Sequence, residues 1–372
     1  MKIASRNAMV ALAVGGSIVL GGCGGPAGPG SAGGSTTTTV FTPTSPVVVS
    51  ESGSSVAYGA VSGWASHFHA LNPKITLSTK ASGSAAGMAL VQAAKADLAV
   101  SGAPLPPPAQ GAQPGGVSIP LAATAVQVDY NVPGVPTGVH LKLTGPILAD
   151  IFVGNITYWD SPAIKAINPQ VALPHLRIVP IHQGAGAATF IFTNFLSAAA
   201  GATWNLGYNL SAPWPALPGA LSALSDTSAA TQCATTKGCL TYQLVPPSSQ
   251  SHTGHPEVAT IANGNGNYVL PTAVALRAEV DAAGSPSSTG AVSLAMLSSA
   301  AGYPIEGCIY AILPTAEPSP AEAGAVSAFV NWALDPAGGS SRSELSHTGL
   351  VALSGKLAKA SRGMVVKVSG QA

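Results

Sequence analysis

Residues 74–105, "KITLSTKASGSAAGMALVQAAKADLAVSGAPL", run from an alternating apolar segment through a turn of serine, glycine and alanine into a helix-period segment, then close on a second apolar run from Leu98 to Ser101. The same order stands just before it. "SPVVVSESGSSVAYGAVSGWASHFHALNP" gives an apolar run, a Gly/Ser turn, and a helix pattern through Val61, Trp64, Ala65 and Phe68 that Asn72-Pro73 stops. Strands that hand over to helices through short turns, repeated, are the grammar of an α/β fold with largely parallel strands. In such folds ligands gather at strand C-terminal ends, beside helix N-termini whose free N–H groups face outward.

A second region starts near "IPLAATAVQVDYNVPGV" and continues through "LTGPILADIFVGNITYWDSPAIKAINPQ", two short helix patterns separated by Gly154 and Asn155. "PIHQGAGAATFIFTNFL" (180–196) then repeats the handover from strand to small-residue turn to helix. Residues 207–265 carry little periodic signal and much Pro, Ser and Gly, and read as loops. "GYPIEGCIYAILP" reads as a strand, and a helix is expected after Ser319-Pro320, stopping at Pro336 and Gly338. No solenoid-type repeat is present.

The chain of 372 residues has room for two lobes with a real core. Only 8% of residues are charged and the formal net charge is +1, which leaves no basic surface for nucleic acid. Residues 1–23 read as a targeting segment: Lys2 and Arg6 precede an apolar stretch from Ala8 to Leu20, and small residues lead into Cys23. The ending "LGGC" resembles a bacterial lipobox, in which cleavage leaves Cys23 as the lipid-modified first residue; the alternative is an ordinary secretory signal with an incidental cysteine. Residues 24–46 are a Gly/Ser/Thr-rich tether with a root-mean-square span of roughly 25 Å. The protein is thereby expected on the extracytoplasmic face of the cell membrane, anchored by lipid.

Cys233 and Cys239, in "QCATTKGCL", are close enough to close a small disulfide loop in an oxidising compartment, with two free thiols as the alternative. Their spacing does not suit zinc. Cys308 sits in an apolar run and reads as a packed thiol.

Signatures of catalysis and of cofactors are lacking: there is no G-x-S-x-G, no H-E-x-x-H, and no G-K-[ST] after a glycine loop. No cofactor, metal or enzymatic activity is expected. His67 and His69 fall on different helix faces, and His252 and His255 lie in a Ser/Gly/Pro loop, so both pairs read as solvated surface. Asp97 and Asp160 read as caps or turn residues.

Three turns remain: Ser52 to Val56, Ala81 to Gly87, and His182 to Thr189. Each stands where a strand passes into a helix. Three helix starts converging on one cleft would offer many N–H donors and a few hydroxyls, a neutral trap for a small oxyanion.

Taken in order, "ESGSSVAYGAVSGWASHFHALNP", "SGSAAGMALVQAAKADLAVSGAPL", "VDYNVPGV", "LTGPILADIFVGNITYWDSPAIKAINP", "PIHQGAGAATFIFTNFLS" and "CATTKGC" resemble the phosphate-binding lipoproteins of bacterial phosphate ABC transporters, the PstS family, and its actinobacterial members in particular. The resemblance implies a two-lobed, type II periplasmic-binding-protein-like α/β fold closing over its ligand about a hinge. Residues 47–127 with 305–372 would form the first lobe and 128–304 the second. It implies binding of inorganic phosphate or another small anion and delivery to an ABC permease, without catalysis.

Position by position, the family's first-turn hydroxyl and following N–H match Ser55 and Val56, and its second-turn serine matches Ser84. The family's aspartate, which accepts the proton of hydrogen phosphate, falls on Gly102. Its arginine falls on His182 or Gln183, and further donors fall at or near Gly186, Ala187 and Ala188. One reading has a protonated His182 replace the arginine at acidic pH; the alternative is a histidine simply packed at a strand end. The loss of charged groups keeps open a second reading, in which the scaffold serves as a surface sensor or interaction protein, or takes another small ligand.

Overall fold

A computed structural model describes residues 41–55, 57–109, 115–245, 256–315 and 319–369, with backbone alone for 366–369. The targeting segment with Cys23, most of the tether, Val56, His252 and His255 lie outside the described residues. Among those described, no helix is long and apolar enough to cross a membrane.

The chain begins β1 (Val47–Gly53), α1 (Tyr58–Leu71), β2 (Ile75–Ala81), α2 (Ser84–Gln92), β3 (Ala99–Ser101) and β4 (Val117–Asn131). It continues β5 (Lys142–Leu143), α3 (Gly145–Phe152), α4 (Pro162–Ile167), β6 (Val179–Gln183), α5 (Ala187–Ala200), β7 (Leu221–Ala223), α6 (Asp226–Thr235) and β8 (Cys239–Leu244). Then follow β9 (Glu257–Val258), β10 (Thr260–Ala262), β11 (Tyr268–Val269), α7 (Ala273–Ala282), β12 (Glu306–Leu313), α8 (Pro320–Ala333), α9 (Arg342–Leu345), β13 (Val351–Ala352) and α10 (Gly355–Ser369).

The strand-to-helix handovers form at the expected places. α1 buries Val61, Trp64, Ala65 and Phe68, the stripe that its period marks out, and its Phe68 ring meets Phe329 of α8 edge-on at 5.5 Å. Ser319 caps α8 by accepting from the Glu322 N–H, with Pro320 in the first turn.

Strand polarity is mixed. β1 pairs with β2, and β6 with β7 and β8, in parallel. The long strand β4 is antiparallel to all its partners. Its first part, Val117–Ala125, pairs with β12, and its second part, Val126–Asn131, with β8. β4 therefore belongs to two half-sheets. One runs β2-β1-β3-β12-β4, with β1 joined to β3 through Ser52 N–H to Leu98 O (3.1 Å) and Ser54 N–H to Val100 O (2.7 Å). The other runs β4-β8-β6-β7. The largely parallel sheet expected from the sequence holds at the flanks and fails at this shared strand.

Further departures are physical in origin. The stretch 207–265 holds α6 and the fully buried β8, with Ser225 capping α6 and a disulfide from Cys233 to Cys239 (Cα–Cα 5.3 Å) closing the turn between them. The tether ends before Val47: Phe41 packs on α8 against Gly324, and Lys74 Nζ donates to the Pro43 and Thr44 carbonyls. α7, inside the stretch assigned to the second lobe, packs on β13 and α10 from the first-lobe segment. Cys308 is a buried free thiol, and Asp97 accepts from the Ser50 N–H and hydroxyl rather than capping a helix.

α2 lies unusually close to β1 because Gly87 has no side chain: a Cβ there would come within 2.2 Å of the Ser52 carbonyl oxygen. Gly87→Ala should push α2 off β1 and lower the unfolding free energy by about 1–3 kcal/mol in urea titration, as overpacking does.

Candidate functional site

The first two small-residue turns are knitted together. The Ser52 and Ser82 hydroxyls are 2.7 Å apart, and the Ser82 and Gly83 N–H groups both donate to the Gly53 carbonyl. Gly83, with φ +92°, turns the chain into α2, whose first residue, Ser84, is buried. Ser55 is exposed at the turn into α1.

Ser84 then reaches the next element: its Oγ accepts from the Gly102 N–H at 3.1 Å. That leaves its O–H proton for another acceptor. Gly102 in turn lies directly on the start of α5. A Cβ added to Gly102 would stand 2.1 Å from the Ala187 Cβ and 3.0 Å from its Cα. The beginnings of α2 and α5, from the two halves of the molecule, thus flank one glycine.

The third turn is held by a network that contains no cationic side chain. The Gln183 N–H donates to the Tyr242 hydroxyl at 3.0 Å, and Thr189 Oγ1 lies 2.8 Å from that hydroxyl while donating to the Gly184 carbonyl. Gln183 Nε2 donates to Asp226 Oδ1 and to the Tyr242 carbonyl, and Trp214 Nε1 donates to the Gln183 carbonyl. The Gln183 side chain is therefore committed to the interior and supports the loop rather than facing a ligand. The Gly186 N–H is also spent, on the Leu210 carbonyl. Ala187 and Ala188 begin α5, where first-turn N–H groups lack intrahelical acceptors, and both side chains are buried.

His182 stacks on Trp214 with ring centroids 5.3 Å apart, and its Nδ1 is buried without a hydrogen-bond partner. Burial pulls its pKa below the ordinary histidine value, so of the two readings the packed histidine fits this stacked ring and an imidazolium in place of the family's arginine is disfavoured. Burial also raises the pKa of Asp226, the carboxyl that holds Gln183. No group of three or more potential metal-ligating side chains occurs among the described residues. Reading the sequence alone missed Asp226, Tyr242 and Trp214. Ser225-Asp226, a helix-start pair, was the one available signal.

These elements match known proteins. Residues 33–337 match the family model of the PBP superfamily domain. The chain is 28% identical over 298 residues to the phosphate-binding protein PstS of Xylella fastidiosa strain Temecula1, covering 78% of this chain and 79% of that one. It is 30% identical over 233 residues to that of strain 9a5c, spanning 61% of its length and 62% of this chain. It is 31% identical over 250 residues to phosphate-binding protein PstS 2 of Mycobacterium tuberculosis, covering 65% of this chain and 66% of that one. Among solved structures, a high-affinity periplasmic phosphate-binding protein (PfluDING) bound with phosphate superposes with a TM-score of 0.62 at 17% identity, covering 86% of this chain and 93% of that one. An ABC-type phosphate transport receptor from Vibrio cholerae gives 0.54 at 15% identity, with 82% and 99% covered.

The Gly102–Ala187 contact is testable. Gly102→Asp should lower the unfolding free energy by about 1–3 kcal/mol, and adding Ala187→Gly should recover part of that loss; a double-mutant cycle in urea measures the coupling.

Proposed function

The chain belongs to the PBP superfamily, and from that premise we propose that it is the extracytoplasmic solute-binding component of a phosphate ABC transporter, taking up inorganic phosphate and handing it to the permease. It catalyses nothing. The observation that carries the reading is the glycine shared by two helix starts: Gly102, held by Ser84 and seated on Ala187. An oxyanion seated beside that contact, at the two helix starts, would meet first-turn backbone N–H groups.

The ligand set we propose is Ser55, Val56 and Ser84 from the first lobe with Ala187 and Ala188 from the second; Gly102, its N–H spent on Ser84, brings the two helix starts together, Gly186 turns the loop, and Gln183 holds it in place. The lobes are 47–127 with 305–372, on which α7 (Ala273–Ala282) also packs, and the remainder of 128–304, moving about β4. Cys23 carries the lipid that keeps the protein at the membrane. The targeting segment, "LGGC" and the tether support that anchor.

Binding rests on neutral donors. Charge-assisted hydrogen bonds contribute about 1.5–3 kcal/mol each, so an arginine fork and two hydroxyls absent from the loop weaken capture by roughly 4–8 kcal/mol, or about three to six decades. Titration calorimetry of the purified protein with phosphate should therefore show saturable heat at millimolar rather than submicromolar concentration. Ser84→Ala should weaken it further by about tenfold, the worth of one hydrogen bond to an anion. An intact fold that gives no heat with millimolar phosphate would end the phosphate reading.

A further inference from the structure

The six residues ahead of β1, from Phe41 to Pro46, are held as part of the first lobe. Phe41 is half-buried against the core and its ring lies on α8 at Gly324, where an added Cβ would stand 2.4 Å from the ring Cδ2 and Cε2 and 2.7 Å from Cζ. Pro43 is buried. Lys74, just before β2, donates from Nζ to the Pro43 carbonyl at 3.2 Å and to the Thr44 carbonyl at 3.1 Å, while its own carbonyl accepts from the Val47 N–H at 2.8 Å. One lysine thus fastens both ends of the turn that leads into the strand.

The seat on α8 has a feature that the helix alone does not need. Glycine inside a helix weakens it relative to alanine, and Gly324 stands between Ala323 and Ala325 in the interior of α8. Those two alanines are buried, whereas the space beside Gly324 is filled by the Phe41 ring. A methyl group there would strike the ring, so the missing side chain is what lets residues 41–46 lie against the helix.

The place of these contacts is as specific as their chemistry. β1 and β2 run parallel, so Val47 and Ile75 mark one pole of the first lobe, and the turns that follow Gly53 and Ala81, where the cradle lies, mark the other. Seven strand residues put about 20 Å between the poles. We propose that Gly324 of α8 and Lys74 form a docking site for the chain's own segment from Phe41 to Thr44, a strap that holds the tether to the first lobe at the pole opposite the cradle. The docking does not depend on which ligand the cradle takes. With the lipid on Cys23, a reading on which this consequence rests, the spacer between membrane and lobe is 24–40 rather than 24–46, and it joins the lobe on the side away from the cradle.

The strap is held by a narrow margin. Burial of one phenylalanine face and one proline is set against the ordering of six residues, and the lysine bonds, one of them exposed to solvent at Thr44, add little. A single methyl group in the seat, or the loss of the lysine donors, is therefore enough to release the segment.

Limited proteolysis and thermal melting of the whole protein test this. Val40 and Phe41 are the only large apolar side chains between Cys23 and Val47, so thermolysin, which cuts before such residues, has its sites there, and cutting before Phe41 requires the ring to leave α8. Mass spectrometry of initial products should find the Val40–Phe41 bond cut about tenfold more slowly in wild type than in Gly324→Ala, because cleavage follows the population of the released form. The melting shift gives a second readout, in its sign. Gly324→Ala should raise the melting temperature in a Phe41→Ala background, where helix propensity alone changes, and fail to raise it in wild type. Equal cutting of wild type and Gly324→Ala, or the same upward shift in both backgrounds, would overturn the proposal. If Gly324→Ala does not fold, Lys74→Met decides: it leaves α8 intact and should speed the same cut, and an unchanged rate overturns the strap. Neither readout needs phosphate or a lipid, so failure of the transport reading leaves the strap standing.

Discussion

A single strand long enough to serve two sheets is the constraint on which the rest of the molecule depends. β4 is buried along all but its ends, so each of its N–H and C=O groups needs a partner. Those partners change at Ala125 and Val126, from β12 on one side to β8 on the other. At the switch, the Val126 N–H donates to the Ile305 carbonyl and the Ala125 carbonyl accepts from the Val245 N–H, so the strands of both halves are bonded to the same peptide units. The two half-sheets are thus joined within one continuous strand, and packing of α5 on β12 and of α7 on β13 adds contacts across the junction. The places where α2 and α5 begin are consequently set by one junction.

That junction brings together turns that could have stayed apart. Gly102 and Ala187 meet because neither has more than a methyl group to offer, and the meeting brings the first residues of α2 and α5 to one glycine. The loop before α5 does not depend on charge for its shape. Tyr242 and Asp226, from β8 and α6, hold Gln183 from below, while Trp214 takes its carbonyl and covers the His182 ring. A scaffold of this kind leaves the loop without a fixed cation, which fits a chain whose charged residues make up only 8% of its length.

Much of this was legible in the residues. α1 and α8 follow from their apolar periods and their stops, Asn72-Pro73 and Pro336, and the three turns between strand and helix are written in glycine, serine and alanine. β8 was not legible, because "CLTYQL" carries Thr241 and Gln243 on a strand with no exposed face. Their polar atoms are satisfied internally, by the Ile181 carbonyl and Asp129, so polarity there signals a buried network rather than a loop. β4 was visible as an apolar run, but nothing within the run marks where one sheet ends and the next begins. The contact between Gly102 and Ala187 depends on tertiary placement, and sequence shows only that both are small.

Burial also redistributes the acids in a way that bears on an anion cradle. Glu51, Asp129, Asp226, Glu279 and Glu306 are all buried enough for their pKa values to rise, and none has a lysine, arginine or histidine partner among the described residues. Each is therefore closer to neutral at a given pH than a surface carboxylate. Asp226 stands one side chain away from the loop before α5, and Glu51 lies in β1, whose end forms the first turn. In their neutral forms these groups add no repulsion at the helix starts; ionised, they oppose any anion placed there. Desolvation thus favours a protonated interior, and of these carboxyls Asp226 and Glu51 are the ones whose charge bears on the turns that lead into the helices.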